Sequence, residues 1–387
     1  MRIVQVSEVA SINPRSDSIA PTEQISFVGM AQLDAQSAVA TPLDSRSFSS
    51  VSKGYTIFNN HDILAAKITP CWENGKIGEA SLTHPIGVGS TEFHVIRHGK
   101  SIDRRYLLHF LRRPEIRTAG QLRMTGSGGQ RRVPASFIKE LRIPLPPLDE
   151  QRRIAAILDQ ADAIRTKRRQ QLNPLGELPG SLFWSNFSAN YPIVRLEEVG
   201  TVQGGLQISR ARAANPIEVP YLRVANVQRS NLDLSEIKLL RATDREITRT
   251  RLIAGDLLFV EGHASQFEVG RVSLWNGELR ECVHQNHLIR FRASRRRLEP
   301  RFAEIWFNTQ RGATHFRRAA RTTSGLHTIS ATTVKSAPLP LPPIEIQRAF
   351  VERVEHINAQ RSRVEAALAC DDELFASLQS RAFKGEL

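Results

Sequence analysis

The second half of this sequence repeats the plan of the first, and that duplication limits the possible folds more than any other feature. Pro144-Leu145-Pro146-Pro147-Leu148-Asp149-Glu150-Gln151-Arg152 returns as Pro340-Leu341-Pro342-Pro343-Ile344-Glu345-Ile346-Gln347-Arg348, 196 positions on. The same offset pairs Tyr106 with Phe302, Gly129 with Gly325, Val133 with Ile329 and Phe187 with Phe383. Upstream the offset drifts. Gly75-Lys76-Ile77 matches Gly270-Arg271-Val272 at 195, and Asp62-Ile63-Leu64 matches Asp256-Leu257-Leu258 at 194, as small loop insertions would produce. Val4 to Ile12 likewise resembles Val194 to Val202. So many pairings in one order mean two similar bodies on one chain.

Each copy has a long region followed by a helical one. Residues 1–143 and 190–339 carry short apolar or alternating runs, such as Phe93-His94-Val95-Ile96-Arg97 and Leu288-Ile289-Arg290-Phe291, between Gly, Asn and Pro. That pattern reads as β-rich structure with long loops, and a helix is expected near Arg105 to Leu111 and near Arg301 to Phe307. Residues 144–189 and 340–387 read as helical. After the prolines at 338–343, apolar residues recur at Phe350, Val354, Ile357, Val364, Leu368, Phe375, Leu378 and Ala382, with Arg361 and Asp371 filling two gaps. Alternating spacings of three and four make a coiled-coil seam. About 40 helical residues make a rod of roughly 60 Å, too long to bury its seam alone. The matching partner carries Ile154, Ile157, Leu158, Ala161, Ile164 and Leu172; the plainer alternative is two ordinary core helices. The expected fold class is α+β: two similar α/β domains separated by two long antiparallel coiled-coil helices. Pro174 and Pro179 predict a break or kink near 174–180, with a short second helix through Leu182, Phe183 and Phe187.

Lys and Arg number 53 against 39 Asp and Glu, a net charge of +14. Such an excess attracts polyanions, and nucleic acid is the commonest. Cys71, Cys282 and Cys370 lie far apart, which argues against structural zinc and a disulfide framework and suits a reducing cytoplasm. Glu8 interrupts any signal-peptide core, and no apolar run is long enough to span a membrane. Catalytic signatures are missing. Asn13-Pro14, Asn173-Pro174 and Asn215-Pro216 lack the second proline and aromatic of an adenine methyltransferase motif. Gly99-Lys100-Ser101 ends like a phosphate-binding loop, but His94 stands where its first glycine belongs, and no H-E-x-x-H occurs. Asp103, Glu115 and Glu150 form no catalytic grouping.

The string from Asp149 to Ile164, Asp-Glu-Gln-Arg-Arg-Ile-Ala-Ala-Ile-Leu-Asp-Gln-Ala-Asp-Ala-Ile, closely resembles the central conserved region of type I restriction-modification specificity subunits. Ser380-Arg381-Ala382-Phe383-Lys384-Gly385-Glu386-Leu387 resembles the end of that family's second conserved region. Lys67-Ile68-Thr69-Pro70-Cys71-Trp72-Glu73-Asn74-Gly75-Lys76 resembles a version of its target-recognition domain. The likeness covers essentially the whole chain. It implies target-recognition domains at 1–143 and 190–339, each reading one half of an asymmetric bipartite site on double-stranded DNA. It implies that the helical regions act as a ruler and dock two methyltransferase subunits, which motor-nuclease subunits join. By the same resemblance this chain is not an enzyme and holds no cofactor: S-adenosylmethionine, ATP and magnesium belong to partner subunits. The alternatives are a specificity subunit in a methylation-only system and a coiled-coil assembly adaptor without DNA readout.

Candidate DNA contacts lie in polar, Gly-rich stretches. Arg suits guanine, Asn and Gln suit adenine, and Lys and Ser suit phosphate. In the first domain these are Lys67, Glu73, Asn74, Lys76, Ser127, Gln130, Arg131 and Arg132, with Thr125-Gly126-Ser127-Gly128-Gly129-Gln130-Arg131-Arg132 the leading string. In the second, Thr323, Ser324 and His327 hold the equivalent place, joined by Asn226, Gln228, His263, Gln266, Asn286 and His287. The competing reading is idle polar loops. Trp72, Trp275 and Trp306 read as core. Arg295-Arg296-Arg297 and Arg317-Arg318 touch phosphate or face solvent. Arg152, Arg153, Arg165, Lys167, Arg168 and Arg169 face spacer DNA or form salt bridges along the helix.

Overall fold

The computed structural model describes residues 2–15, 18–127, 129–187, 191–323 and 325–387, without the side chain of Thr323. The chain divides into two compact units, Met1–Gln171 with Val364–Leu387, and Leu172–Arg363.

In the first unit the central strand Ile63–Ala66 is buried at every position, as a continuous apolar run demands when both faces of a sheet are covered. It pairs antiparallel with Phe93–His98 (Ile63 opposite Ile96) and with Ile77–Ala80. Ala10–Ile12 lies beyond Phe93–His98, and Val39–Ala40 and Leu33–Asp34 extend the other side. A second sheet runs Asp44–Ser47, Gln24–Val28, Ile86–Gly89, Thr56–Asn59, its middle pair parallel. The helix Arg104–Leu111 starts at Asp103, whose carboxylate accepts from the Arg105 and Tyr106 N–H groups, a standard N-cap. Tyr106, Leu107, Phe110 and Leu111 then enter the core.

The second unit repeats this order. Gly200–Gly204, Leu288–Ala293, Asp256–Val260 and Val272–Trp275 form one sheet, with Asp256–Val260 again buried throughout. The second sheet runs Lys238–Ala242, Ile217–Leu222, Val283–His284, its latter pair again parallel. The expected helix is Pro300–Asn308, with proline in its first turn.

Two sets of buried polar contacts are duplicated along with the strands. Asp62 takes a two-bond fork from Arg97 (2.9 and 2.7 Å) and accepts the Asn59 N–H. Asp256 takes the same fork from Arg292 (both 2.7 Å) and accepts the Ile253 N–H. Buried Gln151 donates to the Ser101 and Pro146 carbonyls and accepts from Asp103 N–H; buried Gln347 donates to Arg297 and Pro342 and accepts from Glu299. These glutamines explain the repeated Pro-Leu-Pro-Pro…Gln motif: each ties the first turn of a long helix to its own unit.

The long helices are Leu148–Phe187 (α1) and Ile344–Ala382 (α2). In the first unit they run antiparallel, since Arg153 reaches the Leu387 carbonyl while Arg165 and Arg169 meet Asp372 at 2.6 and 2.7 Å. The expected seam is buried mainly against the sheet-bearing bodies: Ile154 and Leu158 with Phe375, Ala382 and Phe383 in the first unit, and Phe350 and Val354 in the second. Ile164 is exposed, and Val364 and Leu368 are half-buried. The predicted break at 174–180 is absent, and α1 continues through Pro174 and Pro179. Each proline forfeits a hydrogen bond to the carbonyl four residues back, but that of Gln170 is on an exposed residue and that of Leu175 on a half-buried one, within reach of water. Beyond them Phe183 and Phe187 are buried among Phe302 and Phe350, with ring centroids 4.9 to 5.2 Å apart between the two groups. Burying two phenylalanines, at roughly 1.5–3 kcal/mol each, offsets most of the local penalty.

Candidate nucleic-acid interface

Each unit presents one hairpin against the end of its central strand. In the first, Thr125 and Arg132 exchange backbone hydrogen bonds (3.0 and 2.8 Å), closing the loop between them. Gly129 takes φ +77° with open space where a Cβ would stand. Gly128 lies outside the described residues. In the second unit, Arg321–Thr323 and Leu326–Thr328 form the same hairpin, Arg321 opposite Thr328, and Gly325 takes φ +80°, again open. Left-handed backbone at a hairpin tip suits glycine, which accounts for the Gly129–Gly325 pairing. Ser324 and the Thr323 side chain lie outside the described residues.

The two candidate stretches of the first unit lie side by side. Thr69 N–H and hydroxyl both donate to the Arg131 carbonyl (3.0 and 3.2 Å), and Val133 N–H donates to the Lys67 carbonyl. Beneath them, buried His94 contacts the Val133 carbonyl through Nε2 (2.8 Å) and Asn13 through Nδ1. Burial lowers its pKa, and Lys67 adds to the effect, so it serves as a neutral prop.

The arginines differ sharply. Arg132 forks onto Glu92 (2.9 and 2.8 Å), and this hydrogen bonding holds the Glu92 carboxyl below its ordinary range. Arg131 is exposed and its side chain has no hydrogen-bond or ion-pair partner among the described residues, which makes it the free cation of this hairpin. Ser127, Gln130 and Asn74 are exposed beside it, and Glu73 is half-buried with one carboxylate oxygen lacking a partner among the described residues. Lys76 donates to the Met30 carbonyl at 2.8 Å, and its counterpart Arg271 binds the Val224 and Val227 carbonyls. Both pin a short turn, so their common role is internal.

In the second unit His263 and His327 sit opposite each other on paired strands. Ser265 N–H donates to His263 Nδ1 (3.0 Å), which puts the ring proton on Nε2. His327 Nδ1 lies 3.2 Å from the Thr322 hydroxyl. Gln266 is exposed and donates to the Arg317 carbonyl. His287 is exposed beside Glu261 (3.1 Å), and Asn286 is half-buried. Gln228 is exposed, its amide on the Ala225 carbonyl. Asn226 is a different case: buried, it caps the Arg223 N–H and donates to the Asp233 and Glu236 carbonyls, so its amide is wholly engaged inside the unit.

Trp72 and Trp275 are core, and Trp306 donates to the Pro338 carbonyl. On the helices, Arg165, Arg168 and Arg169 pair with Asp371 and Asp372, Arg152 with Asp149 and Arg153 with Glu150, while Lys167 is exposed. Arg295 and Arg297 bind the Ala254 and Glu198 carbonyls. Among the described residues no cluster of His, Cys, Asp or Glu could hold a metal ion. Sequence reasoning missed Glu92, the partner that occupies Arg132, and Phe267, discussed below. The repeat held the signal for the second, because it aligns Phe267 with Trp72.

Residues 2–174 match the model of the type I restriction modification DNA specificity domain. The specificity subunit of the type I restriction enzyme EcoAI of Escherichia coli is 40% identical over 168 residues, 43% of this chain and 28% of that one. This chain therefore spans less than a third of that relative. The EcoKI specificity subunit of Escherichia coli is 30% identical over 318 residues, covering 76% of this chain and 68% of that protein. A solved chain from work on complex assembly and conformational transition of the type I restriction-modification system shares the fold, with a TM-score of 0.62 at 17% identity, covering 100% of this chain and 98% of that one. With a relative matched over most of both lengths and the duplicated fold in place, the chain belongs to the specificity subunits of type I restriction enzymes, a family of non-catalytic subunits.

Proposed function

We propose that this chain reads double-stranded DNA, one half of an asymmetric bipartite site with each unit. The observation that carries this reading is the glycine-tipped hairpin present in both units with different side chains: exposed Arg131 and Gln130 in one, His327 beside His263 in the other. Two frames of the same shape with different chemistry suit two different half-sites. The net charge of +14 supplies phosphate attraction. Lys67, Glu73, Asn74, Ser127, Gln130 and Arg131 in the first unit, and His263, Gln266, Thr323, Ser324 and His327 in the second, are the proposed contact set, with Asn286, His287 and Gln228 at its margin.

Chemistry is assigned to partners. The proposed complex contains two methyltransferase subunits, which bind S-adenosylmethionine, and motor-nuclease subunits, which use ATP and magnesium; α1 and α2 are the proposed docking elements. The proposed location is the cytoplasm; no helix among the described residues is long and apolar enough to cross a membrane.

Methylation mapping of cells expressing this chain with its cognate methyltransferase tests the reading. A split, asymmetric methylated motif is expected, and exchanging residues 194–335 for a relative's should change one half of it. A contiguous motif, or change in both halves after the exchange, refutes it.

A further inference from the structure

Trp72 and Phe267 occupy matching places in Trp72-Glu73-Asn74-Gly75-Lys76-Ile77 and Phe267-Glu268-Val269-Gly270-Arg271-Val272. Gly75 and Gly270 have nearly the same left-handed φ, +71° and +75°. Their neighbouring aromatics nevertheless part company. Trp72 is 1% exposed and donates its indole N–H to the Arg117 carbonyl, whereas Phe267 is 66% exposed.

The helix behind the loop explains the difference. Trp72 lies against Gly120, where a Cβ would run into the indole. At the repeat offset of 196, Gly120 becomes Phe316. Phe316 is fully buried against Phe259 and Phe307, and a Cβ on Gly270 would run into its ring. The second unit thus draws its core aromatic from the helix Gln310–Ala319, and the first draws it from the loop. Phe267 is surplus to the core.

It is also held in place. Ser265 N–H bonds His263 Nδ1, Phe267 N–H bonds the Ser265 hydroxyl, and Glu268 N–H bonds the Ser265 carbonyl. Arg229 donates to the Phe267 carbonyl at 2.9 Å, and Gln266 ties the loop to the Arg317 carbonyl. The Arg317 guanidinium carbon stands 5.1 Å from the ring centroid, and exposed Arg318 and Arg321 follow in the chain. An organised loop that presents an aromatic ring among cations fits a polyanion with apolar faces between its charges. Nucleic-acid bases offer such faces, by stacking or through the thymine methyl.

We infer that Phe267 is a base-contacting residue of the second unit, laid against the apolar surface of a base in its half-site. The inference rests on the DNA-reading function proposed above.

The test uses the chain assembled with its methyltransferase partner and a duplex carrying the motif found by methylation mapping. Phe267→Ala should weaken binding by about ten- to a hundredfold, leave the melting temperature and assembly unchanged, and relax selectivity only in the half-site that the 194–335 exchange alters. Phe267→Trp should restore much of the affinity, and Leu239→Ala, another exposed apolar residue of this unit, should have no effect. Duplexes with 2-aminopurine at successive positions report stacking, and uracil for thymine reports a methyl contact; one of the two should respond to Phe267. Unchanged affinity of Phe267→Ala, or lost assembly with intact DNA binding, overturns the inference while leaving the DNA-reading function standing. A wild-type complex without sequence selectivity overturns that function and the inference with it.

Discussion

The two units treat one loop in opposite ways around a shared scaffold. At three polar anchor points the copies agree: Gln151 and Gln347 make the same three bonds, Asp62–Arg97 and Asp256–Arg292 make the same fork, and Lys76 and Arg271 pin the same turn. Where an apolar volume must be filled, they differ, with Trp72 from the loop in one and Phe316 from the helix in the other. The reason is physical. A buried donor or acceptor needs one partner in one place, whereas a core needs volume, and any neighbouring element can supply it. Exchange of an aromatic between loop and helix leaves the frame standing and frees a side chain at the surface.

The sharpest break in the comparison is Trp72→Ala against Phe267→Ala. The first removes a buried indole and is expected to destabilise its unit by about 3–5 kcal/mol. The second removes an exposed ring and is expected to change stability by less than about 0.5 kcal/mol. Denaturant unfolding of the full chain, followed by hydrogen exchange in each unit, measures both; equal losses would refute the exchange of core aromatics.

Gln151→Leu and Gln347→Leu test the agreement of the scaffolds. Each leaves two carbonyls and one N–H without the glutamine partner, at a cost of about 1–3 kcal/mol. The two losses should match within about 1 kcal/mol, each seen as faster exchange in its own unit. A large loss at one site alone would mean that the duplicated motif does different work in its two settings.

Acid should loosen the second unit around buried His284. Burial, with Arg290 nearby, lowers its pKa to about 4, below the unfolded value of about 6.5. The unfolded chain then takes up the proton first, so this stabilisation is complete above about pH 6.5 and fades as pH falls toward about 4. In the first unit Asp159 behaves differently. Burial raises its pKa, but hydrogen bonds from His109 and Arg105 dominate and bring it to about 2, so its contribution persists until pH falls below about 3.9. Exchange at Val283–His284 should accelerate between those limits, and His284→Gln should flatten the dependence there.

The smallest expected effect on the fold is at the first hairpin. Arg131→Ala should leave stability unchanged and weaken binding through one half-site by about tenfold. Arg132→Ala should instead release Glu92 and loosen the hairpin, seen as faster exchange at Thr125 and Arg132. Identical phenotypes for the two variants would mean that Arg132 leaves Glu92 to meet DNA.

Much of this was legible beforehand because it depends on order and periodicity. The offset that pairs Gly129 with Gly325 put them in equivalent places, which are two hairpin tips in the structure, and the helices expected near Arg105 to Leu111 and Arg301 to Phe307 are both present. Partnerships were not legible. Arg131 and Arg132 are adjacent in sequence, and only the strand end at Phe93–His98 brings Glu92 to one of them. Asn226 read as an exposed loop amide, and only the folded turn spends it on Arg223, Asp233 and Glu236. Pro174 and Pro179 read as a break, and only the aromatic burial beyond them keeps α1 whole.

By itself the sequence determined that there are two bodies, that each ends in a long helix, and that Gly129 and Gly325 hold equivalent places, because local propensity and a repeated pattern suffice for such features. The tertiary structure decided which arginine is engaged, which asparagine is buried and which aromatic is left outside. These are choices among chemically similar side chains, and they are settled by neighbours in space, which lie three to ten residues away along the chain for Asn226 and forty for Arg132 and Glu92.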